Sequence, residues 1–103
     1  MPFKRAVILA GGGNNGSDAL SLAHLLYDRA YEVAVYAVGD KRNGFVSRRI
    51  AALEALGVDV VCPASADEVD INVEDLVVDG LLGIGCNRKI TGIMRDIVAK
   101  IND

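Results

Sequence analysis

The chain has no hydrophobic run long enough to span a bilayer, and Met1-Pro2-Phe3-Lys4-Arg5 lacks the apolar stretch of a secretory signal. A membrane partner is therefore excluded from the reading, and a cytoplasmic setting is expected. Cysteine is scarce. Cys62 and Cys86 stand alone, without CxxC or Cys/His spacing, so they read as reduced thiols rather than as a zinc site or a disulfide framework. Neither sign of charge is in large excess: the formal net charge is -3 and the isoelectric point about 5.0. Such a balance gives no broad attraction to nucleic acid or anionic membranes. Repeats and low-complexity segments are also missing. His24 is the one histidine, and its place among apolar helical positions reads as packed or solvent-facing rather than catalytic.

What is present is a chain of 103 residues, 51% of them apolar, which suits a single α/β domain over 1–103. Arg5 to Ala10 is a continuous apolar run, typical of a strand buried on both faces. Ala19, Leu22, Ala23 and Leu26 then recur at helical spacing up to Arg29, with Ser17 or Asp18 expected as the N-cap. A second strand is read at Glu32–Val38, a second helix from Phe45 to Leu56 ending at Gly57, and a third strand at Val58–Cys62. After an acidic stretch, 64–74, come a fourth strand, Leu76–Asp79, and a last helix, Thr91–Ile101. Strands alternating with helices imply a parallel sheet with right-handed crossovers, and the expected strand order is 3-2-1-4.

Two loops carry the chemistry. The first, Gly11-Gly12-Gly13-Asn14-Asn15-Gly16-Ser17-Asp18, joins a strand to a helix. There glycines admit an anion close to the backbone, and the amides of the first helical turn point at it. A carboxylate in this loop repels a bare phosphate, so the ligand is expected to need both amide donors and oxygen ligands. The second loop, Gly80 to Lys89, follows the fourth strand. In the order 3-2-1-4 both loops leave neighbouring strands where the order reverses, so Asn14, Asn15 and Asp18 should face Asp79 and residues 83–89 across one crevice. Gly11-x-Gly13-x-x-Gly16 also satisfies the dinucleotide fingerprint of Rossmann domains, yet the second strand ends Tyr36-Ala37-Val38-Gly39 with no acidic residue for a ribose. An ordinary NAD-binding half-domain and a merely structural tight turn both stay open on these residues alone.

The stretch Gly11 to Leu20 resembles the GPGNNGGDGL motif of the YjeF N-terminal family, the NAD(P)H-hydrate epimerases. Tyr31 to Tyr36 is similar to that family's "GYEVTVY", and Asp75 to Gly85 to its "DLIVDALLGTG", continued by Arg88-Lys89-Ile90-Thr91-Gly92. The resemblance implies a Rossmann-like, three-layer α/β fold with helices on both faces of the sheet, often dimeric. It implies epimerisation of hydrated NADH or NADPH (NADHX, NADPHX), so that a partner ADP- or ATP-dependent dehydratase can repair the S form. Asn14, Asn15, Gly16, Ser17 and Asp18 would contact the nucleotide, as would Gly83, Ile84, Gly85, Cys86, Asn87, Arg88 and Lys89. Asn15 and Asp79 would hold a potassium ion, a hard cation that takes oxygen ligands and accounts for a carboxylate beside an anion site.

The chain departs from the motif at Gly12, where the family has Pro, and at Ser17 and Ala19, where it has Gly. Ser17 puts the backbone there in question if that position needs positive φ. The family begins with helices ahead of the first strand and continues into an "IDIPSG" motif that carries its acid–base Asp and a further cation ligand. Residues 1–103 contain neither feature, so the expectation is a partial domain, weak or inactive by itself, with an apolar fourth strand that pairs with another chain. The alternative is a noncatalytic binding or dimerisation module, as in family relatives that act as RNA-decapping scaffolds. Of the basic residues, Arg88 and Lys89 border the crevice, whereas Lys41, Arg42, Arg48 and Arg49 read as solvated surface.

Overall fold

In the computed structural model the described residues are 4–39 and 41–81. They form β1 (Arg5–Ala10), α1 (Asn14–Asp28), β2 (Glu32–Ala37), α2 (Gly44–Ala55), β3 (Val60–Val61), one 3-10 turn (Ala66–Glu68) and β4 (Leu76–Gly80). All pairings are parallel and the order is β3-β2-β1-β4, as the alternation of elements requires. Register runs Arg5↔Glu32 to Ala10↔Ala37 on one side of β1, and Ala6↔Leu76 to Ala10↔Gly80 on the other.

Two crossovers lead from β1 to β2 to β3 in one direction, so right-handedness puts α1 and α2 on the same face. Ala6, Ile8 and Ala10 of β1 pack there with Ala19, Leu20 and Ala23 of α1 and Val46, Ile50 and Leu53 of α2. The return from β3 to β4 runs in the opposite direction and covers the other face. There Val7 and Leu9 meet Tyr36, Val38, Val69 and Leu81, with Ala66 and Ile71 packed against them. Among the described residues that second layer is therefore a 3-10 turn and loop. The expected last helix, 91–101, lies outside them. Residues 6–9 of β1 are fully buried, which explains their unbroken apolar run. No helix among the described residues is long and apolar enough to cross a membrane.

Both helices end in the same way. Val58 N donates to Leu53 O and Gly57 N to Glu54 O, with Gly57 at φ +91°. Tyr31 N donates to Leu26 O and Ala30 N to Tyr27 O, with Ala30 at φ +66°. These are paired Schellman ends, and the left-handed position is glycine in one and alanine in the other. The α2 end also explains why β3 is shorter than the expected Val58–Cys62. Val58 spends its amide on the helix terminus, and only Val60 and Val61 pair with β2.

Candidate functional site

The first loop is built by extending both ladders of β1. Gly11 N donates to Gly80 O at 3.0 Å, and Val38 N donates to Ala10 O at 2.8 Å. The chain then turns at once into α1, whose N-cap is Gly13 in an extended conformation with no side-chain cap. This corrects the expected capping by Ser17 or Asp18: the helix begins at Asn14 rather than Ala19, and both residues lie inside it. Apolar spacing could not reveal that first turn, because its residues, Asn14, Asn15, Gly16 and Ser17, carry no apolar side chain. Ser17 N donates to Gly13 O at 3.0 Å, so Ser17 is helical and needs no positive φ. The amides of Asn14, Asn15 and Gly16 precede this first intrahelical bond, at the positive end of the helix dipole.

Close approach explains the glycines here. A Cβ at Gly16 would fall on the carbonyl of Gly11, and one at Gly12 on the carbonyl of Lys41. Gly12 therefore serves contact with the loop that precedes α2, whose Asn43 N donates to Gly12 O at 2.8 Å. A Cβ at Gly80 would stand 2.7 Å from Ala19 Cβ and 2.8 Å from Asn15 O. The family motifs carry glycine at the position of Ala19 and alanine at that of Gly80. In this chain the helix residue carries the methyl at this contact and the strand residue carries none.

Asn15, Asp18 and Asp79 line one open depression of about 310 Å³, together with Ala19, Leu22 and Val78. Of the residues that the sequence assigns to the crevice, Asn15 and Asp18 of the first loop and Asp79 of the fourth strand line this depression, whereas Asn14, Gly16 and Ser17 are not among its lining residues. Asp79 is in register with Leu9 at the end of β4, a strand with one neighbour among the described residues. Its Oδ1 accepts the Leu81 amide at 3.0 Å, which holds the carboxylate at the strand terminus. Gly83 to Lys89, the other expected contributors, lie outside the described residues. A depression of about 360 Å³ at the opposite end of the sheet is lined by Tyr27, Tyr31, Val58 and neighbours. It is the larger of the two, but it lies at the amino end of the parallel strands, away from where such sheets place ligands.

Asn43 is a residue beside the first loop that the sequence reading does not single out. Its Oδ1 accepts Val46 N at 2.9 Å as the N-cap of α2, and its Nδ2 donates to Asn14 Oδ1 at 3.2 Å. An Asn just ahead of an apolar helical pattern was the available signal. Lys41, Arg42, Arg48 and Arg49 are exposed, as expected: Arg42 Nη2 donates to Cys62 Sγ at 2.8 Å, and Arg48 lies 4.9 Å over the Phe45 ring. His24 faces Asp28 at 3.6 Å on the exposed side of α1, outside the depression. No group of three or more His, Cys, Asp or Glu side chains converges among the described residues.

Comparison with known proteins identifies the family. The family model described as YjeF-related protein N-terminus matches residues 2–103. The chain is 33% identical over 100 residues to an NAD(P)H-hydrate epimerase of Levilactobacillus brevis, covering 95% of this chain and 45% of that protein. It is 32% identical over 101 residues to an NAD(P)H-hydrate epimerase of Oenococcus oeni, covering 98% and 47% respectively. A bifunctional NAD(P)H-hydrate repair enzyme, Nnr, of Thermosynechococcus vestitus is 33% identical over 101 residues, covering 97% of this chain and 19% of its own length. The chain thus spans a little under half the length of the two epimerases.

Proposed function

The chain belongs to the family of YjeF-related protein N-termini, and on that premise we propose that it is an NAD(P)H-hydrate epimerase-type domain, acting on NADHX or NADPHX in nicotinamide nucleotide repair. The observation that supports the reading is one open depression lined by Asn15 and Asp18, from the start of α1, and by Asp79, near the end of β4. Backbone amides of 14–16 would take a phosphate, and residues 83–89 would also contact the nucleotide, as the family resemblance implies. Asn15 and Asp79 would hold a potassium ion, which would supply charge compensation for the nucleotide beside two carboxylates. Pairing with a second copy through β4, and cooperation with a hydrate dehydratase, belong to the same proposal. Residues 1–103 contain no copy of the acid–base motif expected from the resemblance, so this polypeptide should bind hydrated nucleotide and turn it over weakly or not at all.

Titration of the protein with NADHX in potassium chloride, and again in choline chloride, tests the reading. Saturable binding that weakens without potassium, and weakens equally in Asp79→Ala with potassium present, is the expected result. Binding indifferent to both changes removes the cation from the proposal. No binding of NADHX under any salt removes the function.

A further inference from the structure

Three amides in series determine how one site residue meets its ligand. The backbone N–H of Val46, in the first turn of α2, can only donate, and it donates to the Asn43 side chain at 2.9 Å. That contact identifies the accepting atom as Asn43 Oδ1, so the other arm of the same carboxamide is an NH2 group. The Asn43 NH2 lies 3.2 Å from the Asn14 side chain, which must therefore turn its own oxygen toward Asn43. The Asn14 NH2 then points the other way, at an exposed position in the first turn of α1. The backbone reinforces this arrangement. Asn43 N donates to Gly12 O at 2.8 Å, and Gly12 has no space for a side chain against Lys41 O. The loop before α2 is thus clasped to the glycine loop at two points, one through the main chain and one through the side chains.

We propose that Asn43 is a positioning residue for the nucleotide site, orienting Asn14 so that its NH2 group is presented as a hydrogen-bond donor to an acceptor oxygen of the nucleotide, of the phosphate class. This rests on the epimerase-type reading of the site given above. A neutral donor suits an anion next to the carboxylates of Asp18 and Asp79, because it adds no counter-charge that would pair with them instead. Were Asn14 free to rotate, its carbonyl oxygen would face the phosphate about as often as its amide, and that contact would repel.

Asn43→Ser separates this role from capping. Serine caps a helix about as well as asparagine, but its shorter side chain, with the hydroxyl oxygen held at the Val46 amide, lacks the extended carboxamide NH2 that reaches Asn14. The variant should melt with the wild type and bind NADHX about tenfold more weakly, the effect of one misdirected hydrogen bond. It should also shift the Asn14 side-chain NH2 resonances in a nitrogen–proton correlation spectrum recorded without ligand. Asn43→Ala should lower the melting temperature as well. In the Asn14→Ala background, Asn43→Ser should cost no further affinity. Wild-type affinity in Asn43→Ser, or unmoved Asn14 resonances, overturns the inference. Failure of the wild type to bind NADHX overturns the functional reading instead, and the ligand-free resonances then still decide whether Asn43 orients Asn14.

Discussion

The two ends of this sheet solve opposite problems with opposite residues. At the amino end the strands are closed by a clamp. Arg5 Nη2 meets Asp75 Oδ2 at 2.8 Å, Arg5 Nε approaches Oδ1 at 3.4 Å, and Asn72 N donates to the same carboxylate at 2.8 Å. The Asp75 side chain is only 4% exposed and that of Arg5 18%, so these charges are spent on structure. At the carboxyl end Asp18 and Asp79 are exposed and Asn15 is part-buried, and backbone rather than side-chain charge does the holding. Glycines 11, 12, 16 and 80 let main chain touch main chain there, so that polar side chains stay at the rim. A clamp built from ions would have filled the crevice with its own partners.

The largest expected effect comes from crowding the open end. Gly16→Val drives a branched side chain into the Gly11 carbonyl and should destabilise the fold by about 3 kcal/mol or more, read from urea unfolding. A loss below about 1 kcal/mol would mean that the loop has slack and that the glycines are not what hold this end. Next is the exchanged methyl. Gly80→Ala should cost about 2 kcal/mol against Ala19 and the Asn15 carbonyl. The double variant Ala19→Gly, Gly80→Ala should be about 1 kcal/mol less destabilised than the two single changes summed, since removing one methyl makes room for the other. Strict additivity would break the claim that positions 19 and 80 share one contact.

The closed end gives the smallest effect. Arg5→Ala strands a buried carboxylate, but the Asn72 amide still serves it and the pair lies near solvent, so about 1–2 kcal/mol is expected at neutral pH. The charge-assisted hydrogen bond from Arg5, aided by the Asn72 amide and the Arg5 charge, holds the Asp75 pKa below the ordinary carboxylate value despite burial. Its folded pKa is therefore lower than its unfolded one. The resulting stability is fully present above the unfolded value and is lost as pH falls through the folded one. The gap between wild type and Arg5→Ala should accordingly narrow in acid, as followed by unfolding from neutral pH down to about pH 2. A gap independent of pH would assign the loss to packing of the Arg5 stem.

Much of this was legible along the chain. The buried run at 6–9, the helical positions Ala19 and Ala23, and the Gly57 stop were readable from local spacing, but Leu22, expected on the same stripe, is exposed at the rim of the depression and Leu20 is buried in its place. The strand order followed from alternation and handedness. The first turn of α1 was not legible, because Asn14 to Asp18 carry a phosphate-loop pattern and not an apolar one. The clasp was hidden for another reason: Asn43 and Asn14 are 29 residues apart, and neither has a local pattern naming the other.

Local chemistry thus determined by itself the four strands and two helices of the described residues, apart from the start of α1 and the length of β3, and the order of the strands. Hydrophobic period and glycine placement act over a few residues and leave a trace there. Only the tertiary structure decided that Arg5 closes on Asp75 across 70 positions, that Ala19 packs on Gly80, and that Asn43 turns Asn14. Each of these depends on two segments meeting at one distance and angle, which are set by the parallel register and by the helix crossing above it.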